Sequence, residues 1–127
     1  MINFHTYIQN KKFGNYYLPS RFQYVIFRDY FKKINQIFSL PQGEPVFSKT
    51  SIRLRTILSN LKKNDHLVLI SIYVLPEDII LNKEIIETLI KKKITTHFIF
   101  ENVISKTTKE YHEVLNILEI NKHIFNK

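Results

Sequence analysis

The sequence predicts a three-layer α/β/α domain built around a four-stranded, mainly parallel sheet. Short apolar segments rich in β-branched and aromatic residues alternate with longer segments of helical periodicity, in the order β-α-β-α-β-α-β-α. Alternation of this kind implies right-handed crossovers and a parallel sheet with helices on both faces. The chain has 127 residues, of which 44% are hydrophobic, enough for one domain with its own core. We therefore expect a single domain over residues 1–127, with strand order 2-1-3-4.

The first half of the chain is predicted to contain two strands and two helices. Residues 2–8 suit a first strand because they are aromatic and β-branched. A helix follows over residues 19–33, where the missing N–H of Pro19 is tolerated in the first turn. A short strand is expected around residues 37–40, before a proline-rich loop. Residues 50–63 carry Leu and Ile at positions i, i+3, i+4 and i+7, which predicts the second helix.

The second half of the chain continues the same alternation. Residues 66–75 form an apolar run that is typical of a strand buried on both faces of a parallel sheet. A third helix is expected over residues 76–93, because it opens with Pro and two acidic residues and closes with three lysines. Residues 96–100 suit the fourth strand. Residues 107–118 form the last predicted helix, because they open with the Thr-x-x-Glu pattern of a capping box.

The composition excludes several classes of protein and site. Without Cys there is no disulfide scaffold, thiolate metal site or Cys nucleophile, and two Gly are too few for a glycine-rich phosphate loop. The five His are scattered without metal-ligand spacing, so we expect neither a metal nor a cofactor. The longest apolar run, residues 67–75, is far shorter than the ~20 residues of a membrane span. The first residues lack a secretory signal pattern, so we expect a cytoplasmic protein without a membrane partner.

The net charge of +8 is concentrated in the first half of the chain. Residues 1–65 hold eleven Lys or Arg against three acidic residues, so this half can face an anion. AT-rich codons would produce a similar Lys excess, and nucleic acid is therefore a less expected partner. Arg21, Arg28 and Lys32 stack as one basic stripe on the first predicted helix, where they can hold a phosphate or a carboxylate. The alternative is a solvated helix face with Arg28 paired to a neighbouring acid.

Polar residues at the predicted carboxyl ends of the strands are the candidates for a ligand site. Ligands of open parallel sheets bind at this edge, near the point where the strand order reverses. The candidates are Asn10, Ser39, Glu44, Ser71, Tyr73 and Glu101. Glu101 and, more weakly, Glu44 are candidates for acid/base catalysis, which a carboxylate performs near pH 7 when burial raises its pKa. The structural alternative is that loop ends are polar in any α/β protein, and that the Ser71 hydroxyl only bonds to backbone.

Four segments carry a resemblance to a known family: residues 18–23, 26–30, 71–78 and 97–101. In this order they resemble a family of small proteins that occur sporadically in carbohydrate-biosynthesis gene clusters. The matching positions are Pro19, Gln23, Arg28, Asp29, Tyr30, Ser71, Leu75, Pro76, His97, Phe98 and Glu101. The sequence departs from the family pattern in two places: Ile70 stands where a Tyr is expected, and residues 10–12 stand where Ser-Arg-Pro is expected after the first strand. The resemblance implies a role in surface-polysaccharide metabolism and no defined reaction. Gln23 and Arg28 are further candidates for ligand binding, with Arg28 or a neighbouring cation holding a phosphate.

The predicted layout also resembles, more distantly, the catalytic domain of serine recombinases. That resemblance implies a resolvase-like, Rossmann-like fold. Gln9 and Lys11 stand where that family has an Arg and the nucleophilic Ser, and residues 73–75 replace its Asp-Arg-Leu. Phosphoryl transfer on DNA needs the nucleophile and the arginine clamp, so the fold can be shared while recombination is not.

Taken together, these patterns predict an accessory protein of surface-carbohydrate (polysaccharide or lipopolysaccharide) biosynthesis. It would bind or modify a sugar or nucleotide-sugar intermediate, and the sequence leaves open whether it is an enzyme. One alternative is a non-catalytic module that pairs with a biosynthetic enzyme or with itself as a homodimer. A resolvase-like nucleic-acid-binding domain is the other alternative.

Overall fold

A five-stranded sheet organises the chain, which we describe from a computed structural model. The structure describes residues 3–9, 18–38, 42–43, 52–76 and 78–125. The strands are β1 (Phe4–Ile8), β2 (Gln42–Gly43), β3 (His66–Leu69), β4 (Thr95–Phe98) and β5 (Val103–Ser105). Their order across the sheet is β2-β1-β3-β4-β5. The first four strands pair in parallel, and β5 runs antiparallel to β4.

Four α-helices and one short 3₁₀ turn complete the described chain. The helices are α1 (Ser20–Lys33), α2 (Ile52–Asn60), α3 (Ile79–Lys91) and α4 (Thr108–Phe125), and the 3₁₀ turn is Ile72–Val74. None of the helices within the described ranges is long and apolar enough to cross a membrane.

Helices pack on both faces of the sheet. The pairing register places Phe4, His66 and His97 on one face, and Thr96 on the opposite face, because side chains alternate along a strand. On the first face, Phe31 of α1 packs against Phe4, with ring centroids 5.9 Å apart. On the second face, Tyr111 of α4 bonds to Thr96. Helices α2 and α3 pack in the same layer as α4.

The hydrophobic core forms around the central strand β3, where the apolar residues of the strands and helices are buried. Leu67, Val68 and Leu69 of β3 are fully buried, as expected for a strand covered on both faces. Phe27 and Phe31, four residues apart on α1, are likewise buried. The sheet covered on two sides therefore agrees with the mixed α/β class predicted from the alternation of elements.

The local sequence signal at the start of α4 is confirmed, and the predicted start of α3 is corrected. In α4, the Thr107 hydroxyl accepts a hydrogen bond from the N–H of Glu110, and the Glu110 carboxylate accepts one from the N–H of Thr107, which completes the capping box. Helix α3 starts later than predicted, because the side chain of Asp78 caps it by accepting from the N–H groups of Ile80 and Leu81. Pro76 therefore precedes α3 and is not in its first turn.

The structure corrects the predicted four-stranded sheet in two respects. The second strand is Gln42–Gly43, and Ile37 and Phe38 of the strand predicted at residues 37–40 do not lie in a strand. Ile37 is 92% exposed, and the ring of Phe38 packs on Phe27 and Phe31, while residues 39–40 lie outside the described ranges. The antiparallel strand β5 was not predicted, because its three residues follow a turn and are too short to show a periodicity.

The predicted third strand, residues 66–75, is also shorter in the structure. Strand β3 ends at Leu69, and the chain then forms the 3₁₀ turn. Side chains bond the N–H groups of Ile72 and Tyr73 and so remove them from any ladder. The fourth strand ends at Phe98, helix α2 ends at Asn60 and not at residue 63, and α4 continues beyond residue 118.

Candidate ligand-binding edge

Three of the predicted site residues meet at the carboxyl edge of the sheet. Ser71 and Tyr73 follow β3, and Glu101 follows β4. Because β3 and β4 are parallel neighbours, their ends lie side by side. The N–H of Phe100 donates to the carbonyl of Ile70 at 2.8 Å, which fixes the two chain segments beyond the strands. The sequence therefore placed these three residues at one edge, and the structure brings them together.

The Glu101 carboxylate braces this edge. The Ser71 hydroxyl donates to Glu101 Oε2 at 2.7 Å, and the N–H of Ile72 donates to Glu101 Oε1 at 2.8 Å. The Ser71 oxygen in turn accepts a hydrogen bond from the N–H of Tyr73 at 3.2 Å. We refer to Ser71, Ile72, Tyr73 and Glu101 as the edge brace. Hydrogen bonds to a charged acceptor are stronger than neutral ones, so the brace holds the 3₁₀ turn in place.

The members of the edge brace differ in how exposed they are, and therefore in what they can present to a ligand. Ser71 is fully buried, so its hydroxyl does not face a ligand. Tyr73 and Glu101 are half-buried. The Ser71 oxygen bonds to backbone, as the structural alternative expects, and its hydroxyl also bonds to the Glu101 carboxylate. Of the brace residues, Tyr73 and Glu101 offer side-chain surface at this edge.

A second hydrogen-bonded group fixes the carboxyl end of β1. The amide oxygen of Gln23 accepts from the N–H of Gln9 at 3.3 Å, and its amide nitrogen donates to the carbonyls of Gln9 at 2.8 Å and Leu18 at 2.7 Å. Gln23 is fully buried. The side chain predicted to bind a ligand therefore bonds to backbone, and it ties the start of α1 to the end of β1.

The remaining predicted site residues do not join the edge brace in the described part of the chain. Arg28 is exposed on α1, with its Nε 3.6 Å from the Asp29 carboxylate, as the solvated-face alternative expects. No hydrogen bond or ion pair joins Arg28 to Glu101. Asn10, Ser39 and Glu44 lie outside the described residues. Within the described ranges, no three His, Asp or Glu side chains are grouped to hold a metal ion.

Sequence reasoning missed a cluster of three titratable side chains on the α1 face of the sheet. The Tyr30 hydroxyl lies 2.7 Å from His97 Nδ1, and His97 Nε2 lies 2.8 Å from His66 Nδ1. We refer to these three residues as the histidine chain. His97 was predicted to be a core or edge residue, and it is buried within the sheet. Its partners are 31 and 67 residues away in sequence, so no local pattern joins them.

Comparison with known proteins identifies a structural neighbour but no sequence relative. No protein-family model and no curated protein sequence matches the chain. The resemblance to carbohydrate-cluster proteins therefore gains no sequence support. Among solved structures, the chain is similar to the N-terminal catalytic domain of TP901-1 integrase, with a TM-score of 0.54 and 13% sequence identity. The match covers 96% of this chain and 95% of that one. At this identity the similarity shows a shared fold alone.

Proposed function

We propose that this chain is an accessory protein of surface-carbohydrate biosynthesis that binds a sugar or nucleotide-sugar intermediate at the carboxyl edge of its sheet. The observation that carries the proposal is the edge brace, which holds Tyr73 and Glu101 at the edge where ligands of parallel sheets bind. The carbohydrate context comes from the family resemblance of residues 18–23, 26–30, 71–78 and 97–101.

The bonding of the edge brace favours binding over catalysis. A general acid or base must have its proton or lone pair within reach of the substrate. The Glu101 carboxylate already accepts two hydrogen bonds from the protein, and the Ser71 hydroxyl is buried against it. These groups are fixed before any ligand arrives, which lowers the ordering cost of binding. A tyrosine ring at such an edge provides both an apolar surface and a hydroxyl for a sugar.

A thermal-shift screen against UDP-, GDP- and CMP-sugars tests the proposal. A ligand present at a hundred times its Kd stabilises the folded state by about 2.7 kcal/mol, so a true ligand raises the Tm by several degrees. Tyr73→Phe removes the hydroxyl and keeps the ring, and it should weaken the shift. Ser59→Ala, an exposed change on α2, is the matched control and should leave the shift intact. The absence of a shift with every sugar nucleotide would contradict the proposal.

A second candidate function is a non-catalytic module that pairs with an enzyme or with itself. Phe22 and Val25, one helical turn apart on α1, are 50% and 42% exposed. The guanidinium of Arg21 lies 5.2 Å from the centre of the Phe22 ring, so the apolar surface is bordered by charge. Light scattering distinguishes this function: Val25→Lys should convert a dimer to a monomer. A monomeric mass for the unchanged protein, with no co-purifying partner, would argue against it.

A nucleic-acid-binding domain is a third candidate, favoured only by the fold shared with an integrase catalytic domain. Binding through the basic first half of the chain would release counterions, so the affinity for a labelled duplex would fall steeply with salt. If the duplex does not bind even at low salt, this candidate is wrong.

A further inference from the structure

Helix α1 has an inner face on the sheet and an outer face that is exposed. Gln23, Phe27 and Phe31 are the buried residues of the inner face. Val25 lies two residues from both Gln23 and Phe27, and two residues correspond to a rotation of about 200° around a helix. Val25 therefore faces away from the sheet, and its side chain is 42% exposed. The outer face of the helix is centred on this residue.

The residues one helical turn on either side of Val25 form complementary pairs. Arg21 lies four residues before Val25, and Asp29 lies four residues after it. Phe22 lies three residues before Val25, and Arg28 lies three residues after it. Residues three or four apart are neighbours on a helix surface, and all five side chains are exposed. We refer to Arg21, Phe22, Val25, Arg28 and Asp29 as the α1 outer face.

An antiparallel second copy of α1 brings these complementary groups together. A twofold axis through Val25 places each residue before Val25 opposite the residue equally far after Val25 in the other copy. Arg21 then lies opposite the partner's Asp29, and Phe22 lies opposite the partner's Arg28. Because the axis is twofold, each of these contacts occurs twice. The exposed Val25 side chains of the two copies meet at the centre.

We propose that the α1 outer face is a self-association surface on which two copies of this chain pair antiparallel about Val25. Two Arg21–Asp29 ion pairs and two contacts between a Phe22 ring and an Arg28 guanidinium surround the apolar centre. This proposal rests on the second candidate function, pairing of the chain with itself, and gives that pairing a surface and a register. It is independent of sugar binding at the carboxyl edge of the sheet.

The contacts within one copy leave room for the contacts between copies. The Arg21 guanidinium lies 5.2 Å from the centre of the Phe22 ring, which is still 50% exposed, so a second cation can approach the ring. The Asp29 carboxylate lies 3.6 Å from Arg28 Nε, and its side chain is 68% exposed. A carboxylate accepts several hydrogen bonds, so Asp29 can also bind the partner's Arg21.

Asp29 favours a second copy over the other occupants of this surface. An acidic protein would be attracted by Arg21 and Arg28 but repelled by the Asp29 carboxylate between and beside them. Nucleic acid would be repelled in the same way and would make no use of Val25. In the antiparallel pair, by contrast, every charged residue of the outer face meets a complementary group.

The positive charge of α1 and the size of the surface limit the strength of the pair. Lys32 has no acidic counterpart in this arrangement, but it lies seven residues from Val25, about 10 Å along the helix axis. Packed helices cross at about 20° or 50° and diverge away from the contact, so Lys32 stays in solvent. One helix face buries less than a standard interface, and we expect a weak dimer with a Kd in the micromolar range.

Charge reversal tests the register. In sedimentation velocity, the mass of the unmodified chain should rise toward that of a dimer over a tenfold increase in concentration. Arg21→Glu and Asp29→Arg each place like charges opposite each other twice, so each should raise the Kd of the dimer by about tenfold or more. The double variant exchanges the two charges and should restore the Kd to near that of the unmodified chain. Lys33→Glu, an equal charge change at an exposed position outside the contact, is the control and should not weaken the dimer.

The outcomes separate the register from self-association itself. A mass that stays monomeric up to about 100 µM would overturn both, whether or not the monomer binds an acidic protein or a duplex. A dimer that withstands both single reversals, or a double variant no tighter than the single ones, would overturn the register and leave self-association through another surface. If a variant fails to fold, an isotope-filtered NOE between the Val25 methyl groups of labelled and unlabelled copies decides, and its absence in a dimer would overturn the proposal. The thermal-shift screen tests sugar binding separately.

Discussion

Replacing Glu101 by Gln removes one hydrogen-bond acceptor while the size of the side chain hardly changes. In the structure both carboxylate oxygens are used, one by the Ser71 hydroxyl and one by the N–H of Ile72. The Gln amide has one acceptor oxygen, so one of these two donors loses its acceptor. Hydrogen bonds to charged groups contribute about 1.5–3 kcal/mol net, and neutral ones about 1 kcal/mol. We therefore expect Glu101→Gln to lower the free energy of unfolding by about 1–3 kcal/mol.

Urea unfolding followed by circular dichroism measures this loss. The midpoint should fall with an unchanged m-value, because the substitution alters stability and not the surface exposed on unfolding. Glu101→Ala should cost more than Glu101→Gln, since it leaves both donors unpaired. Glu113→Gln on the exposed surface of α4 is the matched control, and it should stay within about 0.5 kcal/mol of the unmodified chain.

The outcome separates a bracing role from a direct ligand contact. A loss below about 0.5 kcal/mol for Glu101→Gln, within the range of ordinary surface changes, would refute the bracing argument. If sugar binding disappeared in the same stable variant, Glu101 would contact the ligand directly and not through the 3₁₀ turn. A destabilised variant that still binds at low temperature would assign Glu101 a positioning role.

Three further predictions follow from single contacts. The pKa of His97 is lowered to about 4, against 6.5 for an ordinary His, so the neutral ring stabilises the fold above pH 6.5 and this stability is lost as pH falls toward 4. Urea unfolding at pH 7 and at pH 4.5 should show that the free energy of unfolding falls by about 2–3 kcal/mol. A free energy of unfolding that does not change with pH would contradict this prediction. The buried hydroxyl of Ser105 has no hydrogen-bond partner among the described residues. In thermal unfolding, Ser105→Ala should therefore leave the stability unchanged or raise it by up to about 1 kcal/mol, and a clear loss of stability would show that the hydroxyl has a partner. Thr107→Ala should cost about 1 kcal/mol by removing the cap of α4, and Thr108→Ala, one residue on and also exposed, is its control.

Features that depend on near neighbours in sequence were predicted, and features that depend on distant contacts were not. The capping box of α4 needs only Thr107 and Glu110, three residues apart, and it formed as predicted. The end of β3 depends on Glu101, 29 residues from the N–H of Ile72, so the apolar run alone suggested a longer strand. The hydrogen bond between Gln23 and Gln9 likewise joins residues 14 positions apart in sequence.

At the candidate ligand-binding edge, too, one part was predicted from the sequence and another part was not. The topology rule placed Ser71, Tyr73 and Glu101 at one edge, because it depends only on which strands are neighbours. The bonding state of each side chain depends on distances that no pattern in the sequence encodes. The sequence therefore located the edge, while the structure was needed to show that the Glu101 carboxylate and the Ser71 hydroxyl bond to each other.

The groups at the carboxyl edge differ from those that the serine-recombinase resemblance leads us to expect there. The serine-recombinase resemblance places a reactive Ser and an Arg after the first strand, where a nucleophile must be free to move toward its phosphate. Here the backbone of Gln9 is held on both its N–H and its carbonyl by the buried amide of Gln23. At the neighbouring strand ends, Glu101 is held by Ser71 and Ile72. Groups fixed in this way are ordered before any ligand arrives, which lowers the ordering cost of binding. This order is what supports the proposed binding of a sugar at the edge, and the Tyr73→Phe and Glu101→Gln variants test it.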